Sequence, residues 1–389
     1  MAGTIKPRDA KELRQAVEWA LNDSQTLDVR GQGSKLALGK PMSCDQVLDL
    51  SGLSGVVDYA PEELVVTLRA GTPMREVEAL LAQRNQMLAF EPPDLGPLLG
   101  REAGQGTLVG AVMGNLAGPR RLSAGAARDH LLGFSGVNGR GEAFKSGGKV
   151  MKNVTGYDLS KLLAGSWGTL AVLDEVSVKV LPAPDQTRTL ALHGLSDEAA
   201  VKAMCAAMGS PHDVSGAAHV DGRTALRLEG VAPSVEARLN GLRDLLTTTG
   251  VTMEELGTLE SRAFWRDVRD VMPLSGARDT VVWKISCPPT EGPGIVGRIK
   301  AQQPSAKAFY DWSGGLIWLS LPPSADADHS IVRSALGSMG GHATLIRAAA
   351  NVRSSVPVFH PQPTAHAALA SRVKESFDPK GLFNPGRMG

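Results

Sequence analysis

The stretch that most restricts what this chain can fold into is VRGQGSKLALG, Val29 to Gly39. It places three glycines, a serine and two cations directly after the strand-like run TLDVR. A turn of this composition brings backbone rather than side chains to its surface. Three structures use such a turn: a dinucleotide fingerprint, a phosphate cradle of another kind, or an ordinary tight loop. Spacing removes the first, because Gly31 and Gly33 fit G-x-G while Leu36 stands where the third glycine belongs. A P-loop fails at GGKV, 147–150, where Ala143 replaces the first glycine and Val150 the serine or threonine. An anion nest and a plain turn remain open. The nest reading has Gly31, Gln32, Gly33 and Ser34 presenting successive N–H groups, the Ser34 hydroxyl adding a donor, and Arg30 and Lys35 adding charge. A second glycine-rich run, Gly106 to Gly118, carries Thr107 and Asn115. Two such runs supply the donor surface that a diphosphate with a long polar tail requires.

Composition narrows the class. At 389 residues with 42% apolar, the chain can fill more than one core. Lys and Arg (41) offset Asp and Glu (40), so nothing favours nucleic acid or an anionic membrane. Cys44, Cys205 and Cys287 lie far apart without C-x-x-C, which argues against a metal or iron–sulfur site built by this chain and suits a reducing compartment. The first residues lack an apolar signal region, and no window approaches a membrane span.

Along the chain, Asp9 and Glu12 predict a capped helix over about 10–22, and residues 74–84 a second. The run 104–140 predicts no helix of ordinary length, and GVNGRGE a hairpin turn. In TLAVLDEVSVKVLP, Leu170, Val172, Val176, Val178 and Val180 predict a strand with one buried face. LPAPDQT, 181–187, reads as a linker. Beyond it a strand–helix–strand pattern repeats twice, as in ferredoxin-like α+β layers, and the four tryptophans between 265 and 318 read as core packing. The tail reads as a helix ending near Phe377 followed by two Pro–Gly turns.

Two stretches, RGQGSK and GKVMKNVTGYDLSKLLAGSWGTLAVLDEVSVKVLP, resemble the FAD-binding domain of the vanillyl-alcohol-oxidase, or PCMH-type, flavoproteins. LAGPRRLSAGAARDHLLGFSGVNGRGE and the terminal FDPKGLFNPGRM are similar to the FAD-binding subunits of bacterial glycolate oxidases. The resemblance is strong over 28–182 and 342–389 and weak between. It implies an α+β fold: a PCMH-type FAD-binding domain of two α+β subdomains over 1–183, an α+β ferredoxin-like cap over 184–341, and a segment 342–389 that returns to the FAD domain. It implies that Arg30, Gly31, Gln32, Gly33, Ser34 and Lys35 form the pyrophosphate loop. Thr107, Gly110, Gly114 and Asn115 would follow the ribityl and pyrophosphate path, and Gly165 to Gly168 would make a close backbone approach. Val172 would meet the adenine end through its backbone, and Asn384 would return to the flavin edge.

Relatives with covalent flavin carry His where Ser34 stands, so FAD is expected to be non-covalent. The H-x-G-x-G-N-x-H metal motif of the superfamily's 2-hydroxy-acid dehydrogenases is missing, and no general base is legible. Arg347 and Arg353 are candidate carboxylate holders or surface contacts. Lys149, Lys152, Asn153 and Tyr157 read as polar loop or cap residues, Asp129-His130 as a structural pair, and His360 with His366 as a poor metal site. The resemblance implies the FAD-binding subunit of a multi-subunit glycolate oxidase. Its partners would be a sister FAD-containing subunit and an iron–sulfur subunit, and a small 2-hydroxy acid would be the substrate of the complex. The chain would be cytoplasmic, or held peripherally at the inner membrane through those partners. Two alternatives stay open: a self-sufficient FAD-dependent 2-hydroxy-acid or alcohol dehydrogenase, and a non-catalytic flavin subunit.

Overall fold

Asp9 starts the first helix, Ala10–Asn22, by accepting from the Glu12 N–H at 2.8 Å. The Glu12 carboxylate turns back to the Arg8 N–H at 2.9 Å, one residue earlier than a reciprocal box would place it. Leu13, Ala16, Val17 and Ala20 are the buried stripe of this helix. The structure is a computed structural model that describes residues 3–148, 157–247 and 250–388. Lys149, Lys152 and Asn153 therefore lie outside the described residues. The chain divides into two units. Unit 1 is Met1–Ala117, Gly125–Ala183 and Pro361–Gly389; unit 2 is Gly118–Ala124 and Pro184–His360.

Among the described residues unit 1 holds two main sheets and a small two-stranded one, Gln86–Met87 with Leu181–Pro182. One main sheet is parallel and three-stranded, in the order Gly3–Ile5, Gln46–Asp49, Leu27–Arg30. The other is antiparallel and five-stranded, in the order Val56–Ala60, Val65–Arg69, Ala171–Lys179, Leu131–Asn138, Ala143–Gly147. Ala171–Lys179 sits at its centre with Val172 and Leu173 buried on opposite faces, so the one-sided burial expected from its alternation is corrected. The hairpin at GVNGRGE closes with Gly141 at φ +76°. Between the sheets' strands, the glycine-rich run contains only short helices, Leu108–Met113, Arg121–Ala124 and Ala127–His130.

The C-terminal segment completes unit 1. After the helix Thr364–Phe377, Asp378 accepts from the N–H groups of Leu382 and Phe383 at 2.9 Å and pairs with Lys374. Leu27 N–H then donates to Leu382 O, and Asn384 N–H to Leu27 O. Leu27–Arg30 is an edge strand, and these bonds cover the edge it would otherwise present.

Unit 2 is one antiparallel sheet of eight strands built from two βαββαβ repeats. The first repeat orders as Thr252–Leu256, Gln186–His193, Arg223–Gly230, Gly216–Val220; the second as Lys307–Asp311, Leu316–Leu321, Val281–Ser286, His342–Arg347. Each is the ferredoxin-like order, and the two meet where His219 pairs with Tyr310. Residues 342–360, placed by the sequence reading in the returning segment, lie in unit 2 because His342–Arg347 is an edge strand of this sheet.

The helices of unit 2 bury a face made by Leu190, Leu226, Trp283, Ile285, Ile317 and Leu319, among others. The tryptophans do not all join it. Trp283 does, while Trp265 packs on Arg227 and donates to Thr189 Oγ1 at 2.8 Å. Trp312 and Trp318 belong to the other face of the sheet, where they are also buried, so all four tryptophans pack in the interior as expected. Trp312 and Ser313 occupy the left-handed region at φ +51° and +61°, the geometry of a tight hairpin. For a residue as bulky as tryptophan that conformation costs about 1–2 kcal/mol.

Candidate functional site

The strand Leu27–Arg30 delivers the chain into the glycine turn, and the turn forms one wall of an open cleft in unit 1. The cleft has a cavity volume of about 100 Å³ and opens to solvent. Gly31 to Lys35 line one side, Thr107, Gly110 and Gly114 another, and Gly168 and Asn384 close it. Leu50, Ala70, Val109 and Met113 give it an apolar floor.

The glycines have different reasons to be glycine. Gly33 stands at φ +74°, where a side chain is strained whatever the space. A Cβ on Gly31 would sit 3.0 Å from Thr107 Oγ1 and Cγ2, and a Cβ on Gly110 would sit 3.0 Å from the same hydroxyl. Thr107, 4% exposed, also caps the helix Leu108–Met113 by accepting from Gly110 N–H at 3.1 Å. The two glycine runs therefore close onto one threonine, and the missing side chains let them meet.

The backbone of the turn is left with open donors. Among the described residues, the N–H groups of Gln32, Gly33, Ser34 and Lys35 donate to no protein acceptor. Four successive open donors in a turn make a nest for an anion. The Lys35 ammonium lies 3.3 Å from the buried Ser34 hydroxyl and has no carboxylate partner there. Burial pushes its pKa down to about 8, with Arg387 adding to the effect and Asp94 opposing it. Arg30 differs: its guanidinium is bonded to Asp28, which holds its charge within the strand. The donor set is one that a diphosphate would satisfy, so the residues present fit FAD at its phosphates.

Asn384 acts as a clip. Its Oδ1 accepts from Val29 N–H at 2.8 Å, and its Nδ2 donates to Trp167 O at 2.9 Å and Gly168 O at 3.3 Å. Three segments of the cleft are fixed by one side chain, 1% exposed.

Asn115, Gly165 and Val172 are not brought to the cleft lining. Asn115 accepts from Arg128 N–H at 3.0 Å, Gly165 lies against Asn115 Cβ, and Val172 is inside the five-stranded sheet opposite Val137. Arg387 lines the cleft and is absent from the sequence reading, and Trp167 lines it from inside the Gly165–Gly168 stretch without having been singled out. Arg387 donates to Lys35 O at 3.0 Å and lies 5.8 Å from the Trp167 ring. The terminal GRM is the only local signal that points to it.

The remaining candidates take structural places. His130 is buried beside Phe90, and Asp129 accepts from Ala126 N–H. Arg347 donates to Thr280 O, Leu274 O and Ala277 O, and Arg353 to Ala348 O, so both are used on backbone carbonyls. Tyr157 is 90% exposed. Among the described residues no group of three His, Cys, Asp or Glu side chains is placed to hold a metal, and no helix is long and apolar enough to cross a membrane.

Comparison with known proteins places this geometry. The FAD binding domain family matches residues 1–147. The chain is 36% identical over 379 residues to glycolate oxidase subunit GlcE of Escherichia coli K12, covering 97% of each chain. It is 31% identical over 198 residues to glycolate oxidase subunit GlcD of Bacillus subtilis, covering 50% of this chain and 40% of that one. Among solved structures, p-cresol methylhydroxylase superposes with a TM-score of 0.72 at 12% identity, covering 99% of this chain and 88% of that one. Alkyldihydroxyacetonephosphate synthase gives 0.70 at 15% identity, covering 98% and 76%. These likenesses establish the α+β fold.

Proposed function

Because the chain belongs to the family of glycolate oxidase subunit GlcE, we propose that it works as the FAD-binding subunit of a multi-subunit glycolate oxidase, an assembly that oxidises glycolate to glyoxylate. It is an FAD-dependent oxidoreductase by family and by cofactor. The observation that carries the site is the row of four open N–H donors from Gln32 to Lys35 beside an unpaired ammonium. In this reading they hold the FAD diphosphate, with the Ser34 hydroxyl and Lys35 completing the contact and Thr107 fixing the opposite wall. Asn384 and Gly168 shape the cleft end, and Val109 and Met113 exclude water from its floor. FAD, when bound, supplies a two-electron acceptor for a hydride.

Ser34 fills the position at which covalent relatives carry an imidazole, and a serine hydroxyl does not alkylate a flavin methyl. Acid precipitation of the yellow protein is therefore expected to release all its flavin to the supernatant. Colour kept in the pellet counts against this reading, and a chain that takes up no FAD at all removes it.

Onward electron transfer needs carriers this chain does not build, since its three cysteines stand apart and the described residues hold no metal-ligand cluster. The reading assigns that step to partners, a sister FAD subunit and an iron–sulfur subunit. The sequence lacks the hydroxy-acid metal motif, and Arg347 and Arg353 are used on backbone carbonyls, so dye-coupled turnover of glycolate by the lone, FAD-loaded chain is expected to fall well below that of the chain mixed with them. Equal turnover would instead mark a self-sufficient dehydrogenase.

A further inference from the structure

Residues 94–104 form a compact loop whose ends are drawn together by one side chain. The Asp94 carboxylate accepts from Gly96 N–H at 3.0 Å through Oδ1 and from Gly104 N–H at 2.6 Å through Oδ2. Within the loop, Arg101 N–H donates to Gly96 O at 2.8 Å, and Leu95 and Leu98 are buried. Joined ends and side chains packed inward are the marks of an Ω-loop. Glycines shape its neck. A Cβ on Gly96 would sit 2.6 Å from Glu102 O and 3.1 Å from Asp94 Oδ1, and Gly104 stands at φ +77°.

The neck leads straight into the second glycine run. Two residues past Gly104, Gly106 O accepts from Met74 N–H at 2.8 Å, at the start of the helix Met74–Ala82. A Cβ on Gly106 would lie 3.5 Å from the Lys35 ammonium and 3.8 Å from Ser34 Oγ. A Cβ on Gly110 would lie 3.6 Å from the same ammonium. Lys35 therefore leaves the first glycine run and ends over the second. Asp94 is not among the residues that line the cleft, yet it anchors the stretch of chain on which that ammonium rests. It also acts on Lys35 through its charge. Burial lowers the Lys35 pKa to about 8, Asp94 opposes the fall, and Arg387 adds to it.

We propose that Asp94 is a positioning residue of the flavin site: it closes the loop 94–104 so that the second glycine run meets the Lys35 ammonium, and it faces that ammonium with a negative charge at longer range. The proposal rests on the reading of the nest as the FAD diphosphate site, and it assigns Asp94 no contact with the cofactor. Shape and charge make separate contributions. Losing the neck would displace Gly106 and Thr107, which form the wall opposite the nest. Losing the charge would leave burial and Arg387 both favouring the neutral amine. The diphosphate would then lose its charged donor at a lower pH.

The test is the pH profile of binding to the full-length, flavin-free chain. FAD is followed by fluorescence titration. ADP-ribose, a diphosphate diester that carries no flavin and keeps its charge from pH 6.5 to 9.5, is followed by calorimetry. Wild-type affinity for both should decline above about pH 8. Asp94→Asn keeps the size and removes the charge, so its decline should begin at least about half a pH unit lower, a further loss of roughly threefold at pH 8.5. In a Lys35→Met background the same substitution should move no midpoint, because no ammonium is left to titrate. Gly96→Ala wedges the neck and leaves both charges in place. It should weaken FAD binding by about fivefold or more at every pH without moving the midpoint. A wild-type midpoint in Asp94→Asn overturns the proposal, even if affinity falls, since a purely structural anchor would act equally at every pH. Wild-type affinity in Gly96→Ala overturns it as well, and decides the matter even if Asp94→Asn does not fold. A wild-type chain that binds ADP-ribose with this profile but takes no FAD would strike the flavin reading and leave Asp94 in its role. Binding of neither overturns both.

Discussion

Lys35→Met is expected to lower FAD affinity by roughly 10- to 100-fold while making the flavin-free protein more stable. Both effects have one cause. The Lys35 ammonium is buried beside Ser34 without a direct ion pair, Asp94 acting on it only at longer range, and burial has already brought its pKa from 10.5 to about 8. Keeping that charge in the empty cleft costs on the order of 3 kcal/mol at most, less what solvent screening returns. Methionine keeps the stem and removes the cost. A diphosphate in the nest turns the same charge into a charge-assisted hydrogen bond, and methionine forfeits it. The pH dependence follows by linkage. The folded-state pKa is depressed, so the unfolded chain holds more protons than the native one between about pH 8 and 10.5. Stability from this group is present above that window and is lost as pH falls through about 8. FAD favours the protonated form, so wild-type affinity should decline as pH rises above about 8, whereas Lys35→Met should show a flat profile there. Fluorescence titration of flavin from pH 6.5 to 9.5, with Tm of the flavin-free proteins, measures both. Wild-type affinity retained by Lys35→Met would remove the ammonium from the cofactor site.

Lys35 was legible because everything that defines it is local: a strand, a glycine turn and a cation within a few residues. Thr107 and Gly110 were legible for the same reason, as members of a second glycine run. The wall formed by Arg387 was not, because its bond to Lys35 O spans 352 positions and no periodicity encodes it. Asn115 was read from the same glycine run and Gly165 and Val172 were carried by resemblance, and the backbone routes each into packing outside the cleft lining. In unit 2 the repeated strand–helix–strand pattern gave the ferredoxin-like layers, since helix and strand periods are read segment by segment. Which tryptophans share a face depends on register. Trp283 and Lys284 are neighbours in sequence and point to opposite sides of the sheet, while Lys284 and Trp318 are paired across strands. A one-residue slip would exchange them, so composition could show that the four tryptophans are buried without showing which of them share a face.

Asn384 lies in the C-terminal segment, 355 positions from the Val29 N–H it accepts, and its replacement tests whether that segment holds the cleft together. Asn384→Ala would strand three buried backbone groups: Val29 N–H, Trp167 O and Gly168 O. Leaving such groups unmet costs about 1–3 kcal/mol each before relaxation, so a net loss of roughly 2–4 kcal/mol is expected. Alanine is also a poorer occupant of φ +44°, which asparagine tolerates. The first thermal transition should fall by roughly 5–10 °C. Asn384→Gly relieves the backbone term alone and should recover about 1 kcal/mol of the loss. Asn384→Asp is the sharper variant. It can still accept from Val29 N–H, yet it turns a carboxylate oxygen toward two carbonyl oxygens where the amide donated. It should therefore be no better than alanine, although it differs from asparagine by one atom. Because Val29, Trp167 and Gly168 all line the cleft, FAD affinity should fall together with Tm in the alanine and aspartate variants. Wild-type Tm and flavin content in Asn384→Asp would mean that the clip is incidental and that the segment beyond Asp378 packs on unit 1 without shaping the site.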